Sequence, residues 1–297
     1  MVTISPNVVR SLGEKAMVSR LSISKFGNQK FDRKISRETN IRLGAEADSG
    51  RYNKPLVNRK APAMVHVTKT YGLLRKYHSD YTIPYDDNGG RLLAATHYTD
   101  FCRDLRGYIE AFEQASHDFI DAWDRLVDDA EKKHLGSRVF KRSEYPTKDE
   151  LKDMFGVRHS FEVVPSGGNA YDIRDISDDD RERIAKAIDT QVGEKLQDSM
   201  REPWKRLHDA VARVVDTLSD PEKGFHKTMI TKLVDLVNVM PALNIGEDPN
   251  LDSLTNDIRN SLVHFDITDL KSDKYYRQDA AADAQKILDD MGAFFTP

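Results

Sequence analysis

The chain has 297 residues, 32% of them charged and 39% aliphatic or aromatic, so it can bury a sizeable core without a covalent staple and is too apolar for a disordered composition. Its single cysteine, Cys102, excludes an internal disulfide framework; no secretion signal or membrane-length apolar run is visible, and a reducing cytoplasmic setting without a membrane span is expected. The formal charge of −4 is unevenly spread: residues 1–80 carry 16 Lys and Arg against 6 Asp and Glu, net +10, and the remainder carries 29 against 43, net −14. Such polarity can draw nucleic acid to one end, or let subunits meet head to tail.

In chain order, Leu21, Ile23 and Phe26 around Gly27-Asn28 predict a short hairpin. Residues 36–48 suit a short helix capped by Ser36, and 50–62, with Gly50, Pro55 and Pro62, suit a loop. Met64, Val67, Tyr71 and Leu74 give helical spacing that ends near Tyr77, and residues 77–93 read as a loop with its own structure. A long helix is expected over 97–135, where Tyr98, Leu105, Phe112, Phe119 and Leu126 form a heptad seam and Leu135-Gly136 a stop.

A short helix over 148–154 and a strand over 157–165 follow; Gly167-Gly168 would turn the chain into a returning strand over 170–174. Ser177 before Asp178, Asp179 and Asp180 caps a second long helix, 178–218, which Pro203 should kink or split by removing the bond to the carbonyl of Ser199. Shorter helices are expected at 225–240, 251–264 and 277–294. The fold class is therefore mainly α with a small antiparallel β component (α+β): a bundle of long amphipathic helices with one or two short hairpins. The expected organisation is a basic region over 1–93 and a helical body over 94–297 with a β insertion at 157–174, in one cooperative unit.

Three constellations could carry chemistry. RNSLVH places Arg259, Asn260 and His264 as in HEPN-type ribonucleases, where His moves a proton and Arg stabilises developing charge. The same looser spacing recurs at Arg59 and His66 and at Arg201 and His208, and only Asn260 separates the first match from background. His78, Asp80, Asp86 and Asp87 could gather metal-ligating atoms, but their spacing fits no EF-hand, and Asp, Asn and Gly are also what a tight turn uses. Without an HExxH motif, a Cys cluster, a GxxxxGK loop or a GxGxxG turn, no metal or cofactor is predicted. Finally, Arg51, Lys54, Arg59, Lys60, Lys69, Arg75 and Lys76 interleave with Tyr52, Tyr71 and Tyr77, the ingredients of single-strand nucleic-acid binding: cations for phosphates and rings for bases.

The segments FDRKISRET, GRYNKPLV, YHSDYTIPYDDNGGRLL, LGSRVFKRSEYP, FEVVP and PALNIGEDPNL together resemble a widespread family of uncharacterised tailed-bacteriophage proteins of about 300 residues. Its most distinctive block holds Thr82, Pro84, Asp87, Gly90 and Arg91. The resemblance implies a phage origin and a role inside the infected bacterium; it carries no activity with it. The leading expectation is a nonenzymatic accessory protein that self-assembles into a homo-oligomer, a ring being one form, and binds single-stranded DNA in replication or recombination. The alternatives are a HEPN-like ribonuclease using Arg259 and His264, and a factor that binds a host protein.

Overall fold

A computed structural model of the chain describes residues 4–133, 139–220, 223, 227–262, 265 and 267–295. In order the elements are α1 (Pro6–Lys15), β1 (Ala16–Ser24), β2 (Lys30–Phe31), α2 (Arg33–Arg42), β3 (Asn53–Lys54), α3 (Pro62–Asp80), β4 (Ile83–Pro84), β5 (Arg91–Ala94), α4 (Tyr98–Asp121) and α5 (Trp123–Lys133). There follow α6 (Lys148–Asp153), β6 (Gly156–Val163), α7 (Asp178–Ser199), α8 (Arg201–Ser219), α9 (Lys227–Leu243), α10 (Pro249–Ser261), α11 (Ile267–Ser272) and α12 (Lys274–Gly292). The class is mainly α with a small antiparallel β component. Among the described residues no helix is long and apolar enough to cross a membrane.

The chain divides into two compact units. The first comprises residues 1–20, 79–101 and 160–297; the second comprises 21–78 and 102–159. This replaces the expected boundary at 93/94, because neither unit is one continuous stretch.

In the first unit a four-stranded sheet runs in the order β4-β5-β1-β6. Ala16 to Ser19 of β1 pair antiparallel with Ala94 to Arg91 of β5, and β4 pairs antiparallel with β5 on its other side. The helical core centres on α8, whose stripe of Trp204, Leu207, Val211, Val214 and Leu218 is buried throughout. α12 packs along α8 through the small residues Ala280, Ala281 and Ala284, which permit a close approach. Burying one large side chain of this stripe stabilises by roughly 1.5–3 kcal/mol. Trp204 also donates from Nε1 to Asp248 Oδ2 at 2.9 Å, so its one polar atom is satisfied inside the core.

Pro203 acts as expected, and Met200 separates α7 from α8. Ser199 supplies the carbonyl that Pro203 cannot bond, and Pro203 itself sits in the first turn of α8, where the missing N–H is tolerated. Pro241 inside α9 likewise leaves the carbonyl of Val237 without its helical donor.

The second unit has an aromatic core. Phe26 lies edge-on to Trp123 at 5.1 Å, Phe119 contacts Phe26, Trp123 and Phe155, and Phe112 links Phe155 to Tyr71. The seam residues Leu105, Phe112, Phe119 and Leu126 are all buried, whereas Tyr98 is 41% exposed. The expected first long helix is interrupted at Ala122, between α4 and α5. Bonds from Ala122 N to Asp118 O and from Leu126 N to Ala122 O still run through the interruption, so it is a local irregularity. The Leu135-Gly136 stop lies outside the described residues.

Other local expectations change. No hairpin forms around Gly27-Asn28: β1 pairs with β5, β2 pairs with β3, and Asn28 is buried, exchanging hydrogen bonds with the backbone of Val57. Residues 170–174 make no return strand. A 3-10 turn, Gly167–Asp172, occupies the position, with Asn169 Oδ1 accepting from the N–H of Ser166. The segment 77–93, expected as a loop with its own structure, is the last turn of α3 followed by the hairpin of β4 and β5, and the helix placed at 36–48 is α2, capped by Asp32 instead of Ser36.

Candidate nucleic-acid interface

The segment FDRKISRETNIR folds as it does because Asp32 does two jobs. Its Oδ1 accepts the N–H of Ile35 at 3.1 Å, capping α2, and its Oδ2 receives Lys54 Nζ at 3.1 Å. Lys54 Nζ also lies 2.6 Å from Glu144 Oε2, and the Lys54 side chain is only 3% exposed. Burial alone would lower the Lys54 pKa, yet the contacts with Glu144 and Asp32 outweigh it and leave the amine raised. For Asp32 burial pushes upward, and the Ile35 N–H and Lys54 together hold the carboxyl below its ordinary range.

Two further polar side chains anchor α2. Ser36 Oγ donates to Asp32 O at 2.7 Å and accepts the N–H of Tyr52 at 2.8 Å; Asn40 Nδ2 donates to the carbonyls of Ala47 and Gly50, both at 3.0 Å. α2 is thus a polar-cored helix held by hydrogen bonds, with its charged face outward.

Of the expected nucleic-acid contacts, Lys54 is removed by its burial. Arg51, Tyr52, Arg59, Lys60, Lys69, Arg75 and Lys76 are exposed. Among the described residues Arg51, Arg59, Lys60, Lys69 and Arg75 have no carboxylate within ion-pair distance. The tyrosines differ. Tyr77 is buried and stacked on Tyr108 at 4.8 Å, and Tyr71 has Lys25 Nζ 5.0 Å and Arg75 Cζ 5.6 Å from its ring centre. Tyr52, 42% exposed, is the tyrosine of the three that presents the most ring to solvent.

Sequence reading missed the cations of α2: Arg33, Lys34, Arg37 and Arg42 are exposed and have no ion-pair partner among the described residues. Their helical spacing, with Arg33 and Arg37 four apart, was the available signal. The division into units sharpens the charge polarity. The second unit carries 24 Lys and Arg against 17 Asp and Glu, net +7, and the first carries 21 against 32, net −11.

The distinctive hairpin block belongs to the first unit and is architectural. Both oxygens of Asp86 are occupied: Arg20 Nη2 donates to Oδ2 at 2.7 Å, and the N–H groups of Asn88 and Gly90 donate to Oδ1 at 3.0 and 2.9 Å. Arg20, then, holds this carboxyl below the usual range, opposed by burial. Gly89 takes φ +82, a left-handed conformation open to glycine, while Pro84 and Asp87 are exposed and Gly90 is buried.

Arg91 donates to Thr82 Oγ1 and to the carbonyls of Thr82 and Ser79, and Arg206 donates to the carbonyls of Ser79, Asp80 and Thr82. Two guanidinium groups thereby satisfy carbonyls at the end of α3. Burial, and then the neighbouring Arg206, lowers the Arg91 pKa to about 10. Among the described residues no three His, Cys, Asp or Glu side chains are grouped as a metal ion would need.

The ribonuclease constellation fares differently. Arg259 Nη1 donates to Asn256 Oδ1 at 2.6 Å and Nη2 to the carbonyl of Val237 at 3.2 Å. That is the carbonyl left without a donor by Pro241, so Arg259 repairs a helix. Asn260 is exposed, and His264 lies outside the described residues.

No protein-family model, curated protein or solved structure matches this chain.

Proposed function

We propose that the protein is a nonenzymatic accessory protein of a tailed bacteriophage that binds single-stranded DNA through its cationic second unit and self-assembles into a homo-oligomer. One observation carries the binding part: Arg51, Arg59, Lys60, Lys69 and Arg75 are exposed without carboxylate partners among the described residues. Cations neutralised by neighbouring carboxylates have little to gain from phosphates, whereas these retain their full charge for an incoming strand. The exposed ring of Tyr52 beside Arg51 adds a surface on which a base can stack. The opposite net charges of the two units support assembly between copies.

The test is fluorescence anisotropy of a labelled oligothymidine across a salt series. The expected result is binding at low salt, with log affinity falling linearly against log salt at roughly 0.7 per phosphate contact. Lys60→Ala/Lys69→Ala should flatten that slope by about 1.4, since two contacts are lost. Absence of binding at low salt, or an affinity indifferent to salt, overturns the nucleic-acid reading.

A further inference from the structure

Groups of exposed large apolar side chains rimmed by polar residues mark interaction sites. The chain carries two such places, of opposite sign. On α2 and its flanks, Phe31 is 45% exposed, with Arg51 Cζ 5.6 Å from its ring centre, Ile41 59% and Leu43 74%, among the unpartnered cations Arg33, Lys34, Arg37 and Arg42; Glu38 is the one exposed acid on the helix itself, and Glu46 and Asp48 are exposed beyond its C-terminal end. The buried hydrogen bonds of Asp32, Ser36 and Asn40 hold this helix in place, so its outer face is presented ready-formed and loses little freedom on binding.

The second place runs from the end of β6 into the first turns of α7. Val163 is 84% exposed, Tyr171 62% and Ile173 43%, the densest run of exposed large apolar residues in the first unit. Around them stand Asp172, Asp175, Asp179 and Glu182, none with a cation partner among the described residues. Asp178 and Asp180 are already engaged by Arg181 and Arg183, and Arg174 is the remaining cation. Residues 171–183 therefore carry six acids against three cations, net −3.

We propose that the cationic, apolar face of α2 in one copy docks on the acidic, apolar surface of residues 163–182 in a second copy. Each surface supplies what the other lacks: aliphatic and aromatic groups to exclude water, and unpaired charges of opposite sign to fix orientation. Because the two surfaces are different, the contact is heterologous, and repetition builds a ring if the rotation closes and a filament if it does not. This rests on the self-assembly part of the proposed function and not on its nucleic-acid part, and the experiment contains no nucleic acid.

Sedimentation velocity is measured at micromolar concentration on wild type, on Arg33→Glu/Arg37→Glu, on Asp179→Lys/Glu182→Lys, and on an equal mixture of the two variants. The expected masses are an oligomer for wild type, a monomer for each variant alone, and a dimer or larger species for the mixture, in which the two intact surfaces meet and the two reversed surfaces are again of opposite sign. The milder variant Arg33→Gln/Arg37→Gln, which removes charge without reversing it, should weaken assembly at least about tenfold, equivalent to about 1.4 kcal/mol. A monomeric wild type, reversed variants that retain the wild-type mass, or neutral variants that assemble unchanged overturn the proposal. So does a mixture that stays monomeric.

Discussion

Replacing Lys54 with Met tests whether the β2–α2–β3 module is held by a buried charge cluster. The methionine keeps most of the stem and deletes the ammonium that lies 3.1 Å from Asp32 and 2.6 Å from Glu144. Were this a surface pair the loss would be about 0–1 kcal/mol. With the Lys54 and Asp32 side chains both 3% exposed, removing the cation leaves buried carboxylate charge uncompensated, which costs roughly 3–5 kcal/mol. Urea denaturation at neutral pH measures it, as a lowered midpoint with unchanged slope.

The signs of the pKa shifts set the window. Asp32 is depressed, so its contribution is present above the ordinary 3.8 and is lost as pH falls through its lower folded value. Lys54 is raised, so its contribution is full below 10.5 and is lost as pH rises through its higher folded value. The gap between wild type and variant should be flat between those limits and close outside them. Asp32→Asn/Lys54→Met should recover part of the loss, since of the two carboxylates left without a cation only Glu144 remains. A single-variant loss below about 1 kcal/mol would show that water, not the cluster, solvates these groups. The folded variant should bind single-stranded DNA as wild type does, because Lys54 is not at the surface.

Arg259→Ala should destabilise by about 1–3 kcal/mol in thermal or chemical unfolding, because the buried Val237 carbonyl loses its donor; equal stability would refute the repair role, and loss of RNA cleavage without loss of stability would restore the ribonuclease reading. In Gly90→Ala the new Cβ would stand 2.5 Å from Asp86 Oδ2 and 2.9 Å from Arg20 Nη1, two groups pinned to each other. A loss of about 1–3 kcal/mol is expected, read as a lower Tm, and an unmoved Tm would contradict it. Trp204→Phe removes the donor to Asp248 inside the core and should cost about 1–3 kcal/mol by urea denaturation, with a negligible change refuting the bond's role.

How much of this could be read from the sequence follows from range. Local rules worked where the cause was local: Ser177 caps α7, Pro203 divides the second long helix, and the Leu105, Phe112, Phe119 and Leu126 seam is buried. They failed where a partner from far along the chain decided the outcome. Leu21 and Ile23 alternate as in a hairpin, but their strand pairs, through Ala16 to Ser19, with residues 72 to 78 positions later. Lys54 looks like any loop cation in the sequence; only the meeting with Asp32 and Glu144 buries it. Arg259 resembles a catalytic arginine until Pro241, on another helix, supplies it with a carbonyl. For the candidate interface, the basic stretch and its composition were legible, but which cations stay unpaired depends on three-dimensional neighbours.

The division into units has a practical consequence for anyone cutting this gene. The chain passes from one unit to the other at 20/21, 78/79, 101/102 and 159/160, and these points fall inside β1, α3, α4 and β6 in turn. No single N- or C-terminal truncation isolates either unit, and every clean excision severs a strand or helix rather than a linker. A fragment starting at residue 94 would lack β1, β4 and nearly all of β5, leaving β6 without the rest of its sheet, and α3, whose Leu74 and Val67 help fill the other core. Function must therefore be dissected by surface substitution in the whole chain.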